Sequence, residues 1–81
     1  MAAQDNFRVN FRVAMESRSL SQRDVAERAE TSVSYVNRVL QGHTTPGLDQ
    51  ADKLARAVSF PLIALLDSPK SFSESVLTAV A

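Results

Sequence analysis

The apolar residues of the chain recur at the spacing of α-helices, which predicts an all-α fold. In the first stretch they follow one another at i, i+4, i+7 and i+8, so they share one face of a helix. These residues are Phe7, Phe11, Ala14 and Met15. Val9 and Val13 lie on another face, so this helix is apolar over much of its circumference. Strand patterns are weak, because the alternating stretches are short and no Asn-Gly or Asp-Gly turn occurs.

Residues that favour helix ends set the limits of the first three elements. We expect the first helix to start after Asp5 or Asn6, the second after Ser21 and the third after Ser32, because side chains of these types cap helix N-termini. Gly42 is expected to end the third helix, since glycine readily adopts the left-handed backbone found there.

The second half of the chain predicts two more helices and a tail. We expect Gly47 to cap a fourth helix and Pro61 to lie in the first turn of a short fifth helix. The residues of the fourth helix expected to face inward are Leu48, Ala51, Leu54, Ala55 and Val58. After the break at Ser68 and Pro69, the Ser-x-x-Glu sequence at 71–74 predicts a capping box and a last helix.

We therefore divide the chain into a compact five-helix domain, residues 1–67, and a C-terminal tail, residues 68–81. A helix of about eight residues does not persist alone in water. The sequence leaves three alternatives open, in which the tail docks on its own domain, docks on a second subunit or frays.

Composition narrows the class of function. The 81 residues suffice for one small domain, and the nine basic and nine acidic side chains cancel. The absence of cysteine and the single histidine exclude thiolate and histidine-cluster metal sites, and we expect no cofactor. There is no nucleophile elbow, phosphate loop or carboxylate pair, so we expect no enzyme. No apolar run is long enough to span a bilayer and the N-terminus lacks signal-peptide features, so we expect a cytoplasmic protein.

The stretch from 21 to 42 carries the most specific motif. It combines Ser-Gln at a helix start, a Val-Ala pair, a second serine cap, two aliphatic residues and a closing glycine. These are Ser21, Gln22, Val25, Ala26, Ser32, Val36, Val39 and Gly42. With this spacing the chain resembles the helix-turn-helix DNA-binding domains of the lambda repressor and Cro (XRE) class. The resemblance continues into the fourth and fifth helices and covers residues 7–66. Glu30 and Ser59 depart from it, because they stand where the family often has glycine.

The resemblance implies a bacterial or phage-encoded, sequence-specific regulator of transcription, most simply a repressor, whose third helix enters the major groove of double-stranded DNA. It places Val33, Ser34 and Asn37 against the bases, with Arg38 and Gln41 further along. Asparagine pairs with adenine through two hydrogen bonds. For Arg38 we favour a phosphate over a guanine.

Contacts with the DNA backbone are implied for the second helix and the loop after the third. Gln22 is expected to bind a phosphate, and Arg23 is the best additional candidate. The full set of expected DNA contacts is Gln22, Arg23, Ser32, Val33, Ser34, Tyr35, Asn37, Arg38, Gln41, His43 and Thr44. A half-buried packing role for Tyr35 and an exposed loop position for His43 stay open. Taken one by one, five arginines are expected to be solvated surface residues, namely Arg8, Arg12, Arg18, Arg23 and Arg28, and Arg28 is able to pair with Asp24.

One recognition helix reads only a few base pairs, so we expect a homodimer on a two-fold symmetric site. The expected contact uses the fifth helix and the tail, namely Leu62, Ile63, Leu66, Phe72, Val76 and Val80. The alternative contact is the face of Val9 and Val13. The alternative function is a helix-turn-helix protein-interaction module, or an antitoxin-like DNA-binding partner of another protein, because the net charge is zero. We expect no membrane contact and see no small-molecule ligand.

Overall fold

The structure is a computed structural model that describes the backbone of residues 3–80 and the side chains of residues 5–77. This part of the chain contains six α-helices. They are α1 Ala3–Ser17, α2 Gln22–Arg28, α3 Val33–Gln41, α4 Leu48–Ala57, α5 Leu62–Leu66 and α6 Pro69–Val80. This confirms the all-α class, with no strand among these residues. No helix in this part of the chain combines the length and apolar character that crossing a membrane requires.

The serine caps form as predicted. The Ser21 hydroxyl accepts a hydrogen bond from the Asp24 N–H at 3.1 Å, and the Asp24 carboxylate accepts one from the Ser21 N–H at 2.9 Å. The Ser32 hydroxyl accepts a hydrogen bond from the Tyr35 N–H at 3.1 Å. Because these contacts span only three residues, local sequence alone fixes where α2 and α3 begin.

Four helices end with a residue in the left-handed region of the backbone. These residues are Ser19 (φ 56°), Glu30 (φ 56°), Gly42 (φ 77°) and Ser59 (φ 63°). At the end of α2, for example, the Thr31 N–H donates to the Ala26 carbonyl at 2.9 Å and so satisfies a helix-end carbonyl. Each non-glycine residue in this conformation costs about 1 kcal/mol. Glu30 and Ser59, which stand where the family often has glycine, therefore adopt the left-handed backbone that glycine would adopt there.

The core lies between α1 and the other helices. α1 packs against α3, α5 and α6, while α2 packs against α3 and α4. The buried apolar residues are Phe7, Phe11, Ala14, Met15, Val25, Ala26, Ala29, Val36, Val39, Leu40, Ala51, Leu54, Ala55, Ala57, Val58, Leu65, Phe72 and Val76. The rings of Phe7 and Phe11 stack with centroids 5.5 Å apart. The apolar face predicted for the first helix is thus the centre of the core.

The predicted start of the first helix was wrong, because α1 begins at Ala3 and includes both expected caps. The Asn6 side chain instead donates to the Leu66 carbonyl at 3.2 Å. One turn later, the buried Asn10 side chain donates to the carbonyls of Leu65 at 3.0 Å and Asp67 at 2.8 Å. The Asn6 side chain, which was expected to cap α1, therefore forms a hydrogen bond with the C-terminal end of α5.

Leu48 is a second correction, since 76 % of its surface is exposed. It is the first residue of α4, and the buried side of this helix starts only at Ala51. The inward positions of Leu54, Ala55 and Val58 are confirmed. A leucine at the helix start is left at the edge of the domain.

The C-terminal tail docks on its own domain as α6. The helix starts at Pro69, so the predicted capping box at Ser71 was wrong. The Ser68 hydroxyl accepts the Ser71 N–H at 3.3 Å, and proline suits the first helical position because it has no N–H to satisfy. Phe72 and Val76 are buried in the core, which corrects their assignment to a subunit contact. The Val80 side chain lies outside the described residues.

Candidate nucleic-acid interface

α2 and α3 pack together through small and aliphatic side chains. The buried residues of α2 and its end are Val25, Ala26 and Ala29, and the buried stripe of α3 is Val36, Val39 and Leu40. Small residues let two helices approach closely. The turn between them passes through Glu30 in the left-handed region and reaches the Ser32 cap. Both ends of the turn are therefore fixed by backbone or capping hydrogen bonds.

The opposite side of α3 is polar and exposed. Ser34, Asn37, Arg38 and Gln41 follow at i, i+3, i+4 and i+7, so they share one face, which we name the α3 face. Val33, at the N-terminal end of the helix, leaves 44 % of its surface in solvent. An exposed valine beside an amide, a hydroxyl and a guanidinium gives this face both apolar and hydrogen-bonding contacts to offer.

None of the eleven side chains expected to contact DNA is buried. Gln22, Tyr35 and Thr44 are half-buried. The exposed ones are Arg23, Ser32, Val33, Ser34, Asn37, Arg38, Gln41 and His43. The structure thus brings the predicted base contacts onto the α3 face and leaves the expected loop contacts accessible beside it.

Tyr35 and Arg38 interact with each other at the edge of this face. The Arg38 guanidinium carbon lies 5.9 Å from the Tyr35 ring centroid, a cation–π distance. The Tyr35 ring also packs against the core, so the packing role left open for it is present in the structure. A half-buried ring therefore lies beside the exposed Arg38 guanidinium of the α3 face.

Three of the arginines expected to be solvated are exposed, and each also donates a hydrogen bond at a helix end. Arg12 donates to the Leu40 carbonyl at 3.1 Å. Arg28 donates to the Ala57 carbonyl at 3.2 Å, and Arg18 donates to the carbonyls of residues 58 and 59, both at 3.3 Å. Cations favour the C-terminal carbonyls of helices. Local sequence gives no signal for these contacts, because their partners lie 28 to 41 positions away.

The expected Arg28–Asp24 ion pair is not formed in the described part of the chain, where Asp52 and Arg56 form one at 3.0 Å. The pKa of the Asp24 carboxyl is lowered nonetheless. The main cause of the lowered pKa is the hydrogen bond from the Ser21 backbone, followed by the hydrogen bond with the Ser21 side chain. The charge of Arg28 lowers this pKa further as a minor contribution.

A polar cleft of about 270 Å³ adjoins the α3 face between the start of α1 and the loop after α3. Its lining residues are Asp5, Phe7, Arg8, Val39, Gln41, Gly42, Thr44, Thr45 and Pro46. Gln41 and Thr44 belong to the predicted site, whereas Arg8 does not. The sequence held no sign of Arg8, because its approach to Gly42 is a contact between distant elements.

An apolar pocket of about 190 Å³ lies on the other side of Pro46. It is lined by Phe7, Thr45, Pro46, Leu48, Ala51, Leu62 and Leu66. Ile63, next to it on α5, exposes 78 % of its surface. The part of the expected subunit contact that belongs to α5 is therefore accessible, with Leu62 and Leu66 half-buried.

Among the described residues, no three His, Cys, Asp or Glu side chains are grouped as a metal site.

A family model described as helix-turn-helix matches residues 11–63, from α1 into α5. Comparisons with curated proteins and with solved structures give no match.

Proposed function

Because the chain belongs to the lambda-repressor-like helix-turn-helix family of DNA-binding regulators, we propose that it represses transcription by occupying a specific duplex site as a homodimer. The observation that carries this proposal is the α3 face. It is a polar, exposed row on a helix whose opposite side is anchored in the core. Occupancy that excludes polymerase is sufficient for repression.

The shape and chemistry of α3 suit the major groove, which is about 12 Å wide and admits one helix. Val33 at the N-terminal end offers an apolar contact to a thymine methyl group. Asn37, one turn further along, offers the donor and acceptor that an adenine edge requires. Ser34 and Gln41 add hydrogen bonds that discriminate less sharply.

Backbone contacts come from the rim of this face. Arg38 contacts the Tyr35 ring at the edge of the α3 face, which favours a phosphate as its partner. Arg23 makes no hydrogen bond or ion pair with the described part of the chain, so its charge is available. Gln22, half-buried at the start of α2, is proposed to bind a phosphate and to brace the recognition helix.

The homodimer is proposed to form through α5. Ile63 is its most exposed apolar residue, and Leu62 and Leu66 border the apolar pocket beside it. The Cα envelope measures 31 × 26 × 19 Å, so two copies fit side by side at the spacing of about 34 Å between half-sites. The face of Val9 and Val13 is the less favoured contact, because both valines are half-buried and neither is as exposed as Ile63.

The test is in vitro selection of bound sequences from a random duplex library at moderate salt. An enriched inverted repeat supports specific reading by a symmetric dimer and supplies the site. A single short motif without a repeat keeps DNA reading but contradicts the symmetric dimer. No enrichment from a folded protein contradicts the proposal and favours the interaction module, which the zero net charge and the exposed apolar surface of α5 would then explain.

A further inference from the structure

Arg8, unlike Arg12, Arg18 and Arg28, makes no hydrogen bond with the residues that the structure describes. Arg12, Arg18 and Arg28 each donate to a backbone carbonyl. No hydrogen bond or ion pair links Arg8 to any described residue, although the side chain is half-buried. A guanidinium carries five N–H donors and keeps its charge at every physiological pH. A partly desolvated one without an acceptor is a group that a bound anion would satisfy.

The end of α3 fixes where this guanidinium lies. A Cβ built on Gly42 would lie 3.4 Å from Arg8 Cδ, 3.5 Å from Nε and 3.9 Å from Cζ. The arginine side chain therefore passes directly over the glycine that ends the recognition helix. Arg8 lines the polar cleft together with Gln41, Thr44 and Thr45.

The cleft combines donors that suit a phosphate. Arginine binds phosphate oxygens through parallel N–H bonds, and the Thr44 and Thr45 hydroxyls and the Gln41 amide can donate as well. Asp5 also lines the cleft and opposes an anion, but it forms no ion pair with Arg8 that would neutralise the guanidinium.

The C-terminal end of a helix also opposes an anion, because its free carbonyls carry partial negative charge. At α3 three of the last four carbonyls are occupied. Leu40 O accepts from Arg12, Val39 O from the Gly42 N–H, and Arg38 O from the His43 N–H. The negative end of α3 is thereby partly compensated within the fold.

We propose that this cleft binds a phosphate group, held by Arg8 with the threonines of the loop after α3. The choice of a DNA backbone phosphate as its source rests on the proposed function, whereas the anion site itself does not. Gln41 and Thr44 belong both to the cleft and to the expected DNA contacts. A phosphate bound here would lie next to the base pairs read by α3 and would extend the contact to α1.

The first arm of the test measures binding to a fluorescent duplex by anisotropy across a range of salt concentrations. The duplex carries the selected sequence, or mixed sequence if none is enriched. We expect Arg8→Gln to weaken binding about five- to tenfold and to reduce the salt slope by about 0.9 for each bound chain. Arg8→Lys should keep the slope, since it keeps the charge. The matched control is Arg56→Gln, which removes an exposed arginine on α4 outside the cleft and should bind within about twofold of wild type.

The second arm uses inorganic phosphate with chloride of equal ionic strength as reference, followed through the amide NMR signals of Gly42, Thr44 and Thr45. Saturable shifts in the wild type that Arg8→Gln abolishes support the site. If they occur while Arg8→Gln leaves duplex binding unchanged, the source is free phosphate and not DNA. If neither arm responds to Arg8→Gln, the proposal is overturned even when the wild type binds DNA.

Failure of the proposed function is distinguishable from failure of the phosphate site. In the first case the wild type binds no duplex, and the measurement with inorganic phosphate alone decides whether the anion site exists. Circular dichroism verifies the fold of each variant. Thr44→Val removes a hydroxyl without touching α1, and should weaken whichever phosphate source responds about two- to threefold. If Arg8→Gln does not fold, Thr44→Val keeps the proposal testable. A Thr44→Val protein that binds as tightly as wild type would then overturn the proposal.

Discussion

The side-chain amide of Asn10 lies 3.0 Å from the carbonyl oxygen of Leu65, a residue 55 positions away in the sequence. The same amide also donates to the Asp67 carbonyl at 2.8 Å. Asn10 is the polar residue that is buried among the described side chains. It therefore joins α1 to the end of α5, a helix too short to hold its own position, and to the start of the connection to α6.

Asn10→Ala should lower the free energy of unfolding by about 1–3 kcal/mol, because two carbonyls lose their buried donor. Urea denaturation followed by circular dichroism measures it. The control is Asn37→Ala on the exposed α3 face, which should change stability by less than about 0.5 kcal/mol. An Asn10→Ala protein as stable as this control would show that the amide contributes nothing to α5.

Glu30→Gly should raise stability by about 1 kcal/mol, since Glu30 holds a left-handed backbone that glycine adopts without strain. For a domain of this size the melting temperature should rise by about 4–8 °C. Glu27→Gly provides the matched control, because it places glycine inside the same helix and should destabilise by about 1 kcal/mol. If both variants are destabilised equally, the conformation of Glu30 carries no cost.

Asn37→Ala should weaken binding to the best site by about 1–3 kcal/mol and relax the sequence preference at one position. Gln22→Ala should weaken binding to all sequences more evenly, because a phosphate contact carries no base information. Anisotropy titrations on the selected duplex and its single-position variants distinguish the two patterns. An Asn37→Ala protein that binds the best site as tightly as wild type would refute the assignment of base reading to this residue.

Ile63→Glu should convert a homodimer into a folded monomer, because it places a charge on the most exposed apolar residue of α5. Sedimentation equilibrium at several concentrations measures the change. Leu77→Glu is the matched control, since it introduces the same charge on an exposed leucine of α6 outside the proposed contact. Dimers that survive Ile63→Glu but not Val9→Glu would move the contact to the face of α1.

The pH dependence of stability should include a contribution from Asp24. Its pKa in the folded state lies below 3.8, so the unfolded state binds more protons in acid. The stabilisation is present above the unfolded pKa and is lost as the pH falls through the lowered folded pKa. Urea titrations of wild type and Asp24→Asn should therefore diverge above about pH 5 and converge in strong acid. A difference in stability between wild type and Asp24→Asn that does not depend on pH would show that the charge of the capping carboxylate is not its cause.

The features predicted correctly from sequence are those fixed within a few residues. Ser21 and Ser32 satisfy amides three positions on, and Gly42 closes its own helix, so spacing alone locates α2 and α3. The α3 face follows from the same helical periodicity. The starts of α1 and α6 were misplaced because several residue types compete for a cap, and the choice depends on distant partners such as the Leu66 carbonyl. The arginine contacts and the cleft at Arg8 depend entirely on how the helices pack.

The arginines bound to helix carbonyls have a consequence for how such a regulator finds its site. Arg12, Arg18 and Arg28 keep their positive charge, but each donates one or two N–H groups to a helix-end carbonyl, which fixes the guanidinium on the fold and limits its reach toward non-specific DNA. Non-specific affinity follows the number of phosphates neutralised, and it sets how long a protein scans along a duplex before release. Brief encounters and frequent return to solution should therefore dominate the search, so that residence on DNA is concentrated at sites whose bases α3 can read.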